Sequence, residues 1–204
     1  MDAPAKILLA SSNRGKLAEF QTLAAAASDS IPVMELFPDF ASLPPFEESA
    51  PTFAENAAGK AAHYSRFTDL SVLADDSGLV VPALGGAPGV HSARHAGPGA
   101  SDSDKIQKLI AEMRGKSGDA RSARFVCVLA MARHGLVYAV TSDFVEGTLL
   151  EVPRGTDGFG YDPVFYVKVA NKSFAELSRE EKNRLSHRGK AFRRMLAALA
   201  PASV

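Results

Sequence analysis

The chain is poor in several things. Its 204 residues include one cysteine, Cys127, and no tryptophan. A single cysteine excludes an internal disulfide and any cysteine-built zinc cluster. Neither sign of charge is in excess, since 23 Lys and Arg balance 23 Asp and Glu. A neutral chain makes a poor nucleic-acid coat and a poor polybasic membrane binder, although a local basic patch stays open. No apolar run approaches the ~18 residues of a membrane-spanning helix. The N-terminus leads only into Ile7-Leu8-Leu9-Ala10, too short for the core of a signal peptide. What is present is ordinary for a globular protein, with 46% apolar and 23% charged residues, enough to bury a real core. These observations predict a soluble protein of a reducing compartment, the cytoplasm, with neither nucleic acid nor membrane as partner.

Local pattern places the elements. Ile7 to Ala10 reads as a short buried strand, and Leu17, Phe20, Leu23 and Ala27 lie on one stripe of a following helix. Ile31 to Leu36 reads as an edge strand because Pro32 lies near its start. Phe37 to Pro51 holds four prolines and Glu47-Glu48, and reads as a loop. Thr52-Phe53-Ala54-Glu55 is a capping box opening a helix to about Tyr64. Ser71 to Ala74 reads as a strand ended by Asp75-Asp76-Ser77-Gly78. A turn-rich stretch then runs to Asp102 or Ser103, either of which can cap a helix that buries Ile106, Leu109, Ile110 and Met113. Ala123 to Arg133 and Leu136 to Phe144 are strands joined at His134-Gly135, a hairpin signal. Gly155 to Asp162 is a glycine-rich loop. Ser178 to Glu181 is a second capping box, opening one long helix through Leu185, Phe192, Met195, Leu196 and Leu199. Mixed strands and helices without repeats or linkers imply an α/β fold.

Four segments can carry chemistry. Ser11-Ser12-Asn13-Arg14-Gly15-Lys16 lies between a strand and a helix, where helix N–H groups attract anions. It fails the Walker pattern, with Ala10 at the first glycine position and Leu17 where Ser or Thr would hold Mg²⁺. A plain polar turn is the alternative. Asp75-Asp76 suits a hard cation, a general base or an aspartyl-phosphate nucleophile, or simply forms an Asx turn. In Gly155 to Pro163, Phe159 and Tyr161 can stack on a nucleobase or plug the core. Lys182, Arg184, Ser186, His187 and Arg188 form either a binding face or a solvated basic helix face. His91 and His95 have the i,i+4 spacing of a metal pair but no third ligand, and Cys127 reads as a buried inert thiol.

Five blocks in order resemble the inosine triphosphate pyrophosphatase, or Ham1-like, family over nearly the whole chain. They are Ser11 to Lys16; Thr52 to Asn56 with Lys60-Ala61; Ala74 to Gly78 through Pro88-Gly89-Val90 and Ser92-Ala93-Arg94; Gly158 to Pro163; and Glu181-Lys182-Asn183 with Ser186-His187-Arg188. The resemblance implies Mg²⁺-dependent hydrolysis of ITP, dITP and XTP to the monophosphate and pyrophosphate. It implies an elongated mixed β-sheet flanked by helices, with two lobes around a central cleft, as one domain over 1–204 and as a homodimer. By the same resemblance Ser11, Ser12, Asn13, Arg14, Gly15 and Lys16 grip phosphates, with Lys60 near them. Asp76 is the catalytic, metal-associated aspartate, Ser77 a substrate contact, and Glu47 the metal-binding glutamate, with Glu48 as the other candidate. Phe159, Gly160, Tyr161 and Asp162 form the base loop, while Lys182, His187 and Arg188 read the base. One departure is His95, where the family usually has an aromatic residue. Two rivals are a Maf-like pyrophosphatase, which lacks the Ser186-His187-Arg188 block, and a nucleotide-binding module without turnover.

Overall fold

The computed structural model describes residues 6–25 and 33–199. The expected stripe residue Ala27 and the expected strand start at Ile31 and Pro32 lie outside these. The strands are β1 (Lys6–Leu9), β2 (Val33–Leu36), β3 (Ser71–Val80), β4 (Ser122–Arg133), β5 (Leu136–Leu149), β6 (Phe165–Val167) and β7 (Lys172–Ser173). The helices are α1 (Arg14–Ala25), α2 (Phe53–Tyr64), α3 (Asp102–Glu112), α4 (Arg179–Leu185) and α5 (His187–Leu199). The strands form one seven-stranded sheet in the order β2-β1-β3-β4-β5-β6-β7. β1 pairs in parallel with β2 and β3, while β6 pairs antiparallel with β5 and β7. The mixed α/β expectation therefore holds.

The chain divides into two compact units. The first takes in the described parts of Met1–Asp76, Cys127–Asp143 and Arg188–Val204; the second takes in Ser77–Val126 and Phe144–His187. In the first unit the sheet is covered on both faces. Ile7, Leu9, Leu73, Cys127, Leu129 and Met131 pack with Phe20, Leu23, Phe192 and Met195 of α1 and α5. Their strand neighbours Leu8, Ala10, Val72, Ala74, Val128 and Ala130 pack with Ala57, Ala61 and Tyr64 of α2. Side chains alternate along a strand, so covering both faces requires unbroken apolar runs, which is how these strands read. The second unit packs around Phe125, Phe165 and Phe174 with Leu109 and Met113 of α3. The Phe125 ring lies 4.5 Å from Phe165 and stacks on Phe174 at 5.7 Å.

Local signals set most boundaries. His134 and Gly135 both take positive φ, 51° and 81°, as a two-residue hairpin turn requires. Thr52 caps α2 by accepting the Glu55 N–H at 3.2 Å, but Glu55 returns to the Thr52 hydroxyl rather than to its backbone. α3 starts one residue earlier than expected. Ser101 is its cap and Asp104 completes the box, because a hydroxyl at N-cap and a carboxylate at N3 satisfy each other.

Two expectations are corrected. β3 does not stop at Ala74 but runs on through Asp75-Asp76-Ser77-Gly78 to Val80. The aspartates form no Asx turn but lie in extended backbone, where Lys16 and Arg188 pair with Asp75, as described below. The single long helix is two. Ser178 and Glu181 form the expected box, but Ser186 is extended (φ −67°, ψ 154°) and α5 restarts at His187. Apolar periodicity is satisfied on either side of the break, so spacing alone did not reveal it.

Arg121 staples the second unit. It is 8% exposed, and its guanidinium donates to the carbonyls of Leu149, Met113, Lys116 and Leu150 at 2.6–3.3 Å. Arg121→Met leaves four carbonyls without that donor. The expected cost is about 3–5 kcal/mol, read as a fall of about 10 °C in Tm. An unchanged melt would show that water replaces the guanidinium without loss.

Candidate active site

In the first unit the candidate side chains gather around β3. Asp75 faces the α1 and α5 side. Its Oδ1 accepts from Lys16 Nζ at 2.7 Å, and its Oδ2 meets the Arg188 guanidinium at 3.4 Å. Arg188 also pairs with Glu19 of α1. Burial works to raise the Asp75 pKa, but the charges of Lys16, Arg188 and Lys60 outweigh it and hold the carboxyl well below its usual range. Asp76 faces the α2 side and is built the opposite way. Burial pushes its pKa up to about 6; Glu48 and Asp75 add to this, while an Asn56 hydrogen bond and Lys60 oppose it. Its Oδ2 is buried and accepts no hydrogen bond from the described residues. Lys60 pairs with Glu48 at 2.5 Å. Burial would lower the Lys60 pKa, but Glu48, Asp75 and Asp76 leave it raised.

Ser11 to Lys16 forms the turn into α1. Ser11 is buried and accepts the Asn13 N–H at 3.1 Å; Asn13 Oδ1 accepts the Lys16 N–H at 3.1 Å. This is a capped polar turn, and also a helix start with more N–H groups than one cap satisfies. Ser12, Asn13, Arg14 and Gly15 are exposed. Of the two candidate glutamates, Glu48 is half-buried and bears on Lys60 and Asp76, whereas Glu47 is exposed. Cys127 is fully buried, and burial with Asp75 nearby raises its thiol pKa, so it is inert.

The second unit carries another cluster. Asp162 Oδ2 accepts from Lys182 Nζ at 2.6 Å and from the Phe159 N–H at 2.9 Å. Lys182 Nζ sits 4.6 Å from the centroid of the Phe159 ring. Gly158 has φ 81°, and a Cβ there would fall 2.2 Å from Asp162 Oδ2, so only glycine fits. The Gly160 N–H is held by Asp102 at 2.6 Å. The two aromatic alternatives divide between the two rings. Phe159 is half-exposed, while Tyr161 is core, its hydroxyl donating to the Ser92 carbonyl at 3.1 Å. The Tyr161 ring is therefore no stacking surface. Ser77 is half-buried in β3.

Of the basic face only Arg184 is exposed. Lys182, His187 and Arg188 are all buried. His187 stacks on Phe125 at 4.8 Å in the second unit, whereas Arg188 belongs to the carboxylate network of the first. His91 and His95 are no metal pair. They lie in and just after 3₁₀ turns, His91 against Arg94 and His95 against Glu112 at 2.7 Å. Asn56, Glu19 and Asp102 were missed as site residues. Helical spacing offered a signal for two of them, since Asn56 is four residues before Lys60 and Glu19 three after Lys16.

Such an arrangement, with two adjacent buried carboxylates of opposite character and lysines at hand, has the chemistry that suits polyanions and hard cations on an α/β scaffold. Residues 7–198 match the Ham1 family, and the chain belongs to it. A relative named dITP/XTP pyrophosphatase from Geobacillus kaustophilus is 47% identical over 190 residues, covering 93% of this chain and 92% of that one. Another of that name, from Methylococcus capsulatus, is 48% identical over 189 residues, covering 91% and 92%. The solved structure of a HAM1 protein from Coxiella burnetii superposes with a TM-score of 0.83 at 41% identity, covering 96% and 98%. The Staphylococcus aureus Ham1 protein gives 0.82 at 36% identity, covering 95% and 97%.

The two aspartates should respond oppositely to amidation. A raised carboxylate pKa means that the folded state disfavours the charge. Stability therefore falls as pH rises from about 4 to about 6, and that cost persists at pH 7. Asp76→Asn removes it and should stabilise the metal-free protein by about 1–3 kcal/mol at pH 7, or about 2–10 °C in Tm. Asp75→Asn instead strips Arg188 and Lys16 of their counter-charge and should destabilise by about 3–5 kcal/mol. Melting curves that move the same way for both would refute this division.

Proposed function

We propose that the chain hydrolyses non-standard purine nucleoside triphosphates (ITP, dITP and XTP) to the monophosphate and pyrophosphate, clearing them from the nucleotide pool. The observation that carries this reading is Asp76: a carboxylate with a near-neutral pKa and an unsatisfied buried oxygen, close to Lys60. The names of the relatives support the substrate class.

Mg²⁺ suits these residues. Among the described residues no three His, Cys, Asp or Glu side chains form a ready cage, but Mg²⁺ typically takes one or two carboxylates plus water and substrate phosphates. The orphaned Asp76 oxygen and Glu48 are the donors that would hold it, in preference to the exposed Glu47. When bound, the ion supplies charge neutralisation and polarisation of a phosphoryl oxygen. The chain's own residues do the rest. A triphosphate carries about four negative charges, and Lys16, Lys60 and the N-terminal turn of α1 offset them. Asp76 orients the attacking water and takes its proton, which requires the carboxylate form and so a pH above its pKa. Cleavage falls between the α and β phosphates.

Phe159 offers a stacking surface for the base, and Lys182, fixed by Asp162, a donor to a 6-oxo group. Adenine presents a 6-amino donor instead, so ATP meets donor against donor. We read 1–204 as one catalytic domain of two lobes, acting in the cytoplasm as a homodimer. The exposed apolar residues Leu136, Val137, Tyr138 and Val140 support self-association.

A panel of ITP, dITP, XTP, GTP and ATP with Mg²⁺, scoring pyrophosphate apart from orthophosphate, tests the reaction. Pyrophosphate from ITP, dITP and XTP ahead of ATP is expected. Orthophosphate as first product would move the scissile bond, and binding without turnover would make the chain a binding module. For the base, Lys182→Met should lower kcat/KM for ITP by about 10–100-fold and for ATP far less. Equal losses would remove Lys182 from base reading.

A further inference from the structure

We infer that Asp102 is a positioning residue for the base loop: its carboxylate, carried on the first turn of α3, fixes the peptide beside Phe159 and thereby sets how tightly the chain holds a purine base. This deepens the proposed function and rests on its reading of Phe159 as the stacking surface. Asp102 is the first residue of α3. Its Oδ2 accepts the Gly160 N–H at 2.6 Å, and its Oδ1 meets Lys105 Nζ at 2.6 Å. Both oxygens are thus engaged, although the side chain is half-exposed. Burial works to raise the Asp102 pKa, but the Lys105 and Gly160 hydrogen bonds outweigh it and hold the carboxyl below its ordinary value. The group is therefore ionised at neutral pH, and a charged acceptor makes a stronger bond than a neutral one.

The start of α3 is a firm support. The Ser101–Asp104 capping box closes it, and Ile106 and Leu109 are buried. A carboxylate in the first turn also meets the positive end of the helix dipole. The loop is less firm by composition, with positive φ at Gly158 and Gly160. The bond from the Phe159 N–H to Asp162 spans three residues and joins the loop to itself. The bond from Gly160 to Asp102 spans 58 residues and joins the loop to a helix. It also completes a pair. The peptide between Phe159 and Gly160 has one carbonyl and one N–H. The carbonyl accepts the Asp162 N–H at 3.3 Å, and the N–H donates to Asp102. A planar unit held at both polar groups has little freedom to rotate, and the Phe159 side chain leaves from the Cα at its end. Removing the Asp102 carboxylate lets that peptide turn, so the ring loses its single orientation toward a base. Lys16 and Lys60, assigned to the phosphates, belong to the first unit, so the loss falls on the base.

The test compares full-length Asp102→Ala and Asp102→Asn with wild type at saturating Mg²⁺, with circular dichroism to show folding. Asp102→Ala should raise the KM for ITP about 3–10-fold and leave kcat within about 2-fold. Asp102→Asn keeps an acceptor oxygen and should recover part of that loss. Inorganic tripolyphosphate, a competitor without a base, should inhibit all three alike. Lys105→Met loses the ion pair but keeps the Gly160 bond, and its KM should stay near that of wild type. Should the alanine variant not fold, Asp102→Asn carries the kinetics, and hydrogen exchange at the Gly160 amide supports them. That amide should exchange about 10-fold or more slowly in wild type than in an unstructured peptide, and faster in Asp102→Asn. An unprotected Gly160 amide, an unchanged KM, or a KM that rises together with the tripolyphosphate inhibition constant overturns the inference alone. So does a Lys105→Met variant as impaired as Asp102→Ala, which would make Asp102 a support of α3 only. A wild type that releases no pyrophosphate from ITP overturns the proposed function and this inference together.

Discussion

Much of the first unit depends on one constraint: a strand sends successive side chains to opposite faces. β3 lies in a sheet covered on both faces, so the adjacent pair Asp75 and Asp76 cannot share an environment. Leu73 and Asp75 meet α1 and α5; Ala74 and Asp76 meet α2. The first aspartate finds Lys16 and Arg188 and is held ionised. The second is desolvated beside a glutamate and has its charge disfavoured. Two identical side chains, one peptide apart, become a structural anion and a titratable group. Pairs whose surroundings drive their pKa values apart are where acid–base roles are found.

Neutral overall charge takes on a definite meaning here. Lys16 with Asp75, Arg188 with Glu19 and Asp75, Lys60 with Glu48, and Lys182 with Asp162 are all partnered across long stretches of sequence. Burying a lone cation costs several kcal/mol, so each is kept beside a carboxylate. The net charge could exclude a polybasic surface, but it could not show that these cations sit inside. A basic stretch such as Lys182 to Arg188 has the same composition whether it is solvated or buried. What separates the two is Asp162, Asp75 and Glu19, none of them near it in sequence.

The same distinction between local and distant causes marks what the sequence made legible. The doubly covered strands, the His134-Gly135 hairpin and the caps at Thr52 and Ser178 rest on neighbours within a few residues, and pattern reading finds them. Asp75-Asp76-Ser77-Gly78 is locally a turn but lies within β3, where cations from α1, α2 and α5 act on Asp75. Ser186 interrupts a periodic helix with an extended backbone, and nothing in the apolar spacing around it marks the break. The five resemblance blocks supplied the candidate residues and put Glu47 ahead of Glu48, whereas burial and the pairing with Lys60 favour Glu48.

The Phe159 loop shows how a flexible composition yields a fixed surface. Glycines at 155, 158 and 160 all have positive φ, and such a segment loses much backbone entropy on ordering. Three attachments oppose that loss. Tyr161 is buried in the core and hydrogen-bonded to the Ser92 carbonyl, Asp102 holds the Gly160 N–H, and Asp162 holds the Phe159 N–H. With residues 159 to 161 tied at each position, the Phe159 ring keeps its half-exposed place instead of following Tyr161 inward. Lys182 reaches both Asp162 and the face of that ring. One carboxylate therefore orders the loop and places the cation beside the aromatic surface, so the stacking face and the donor are fixed by the same contact.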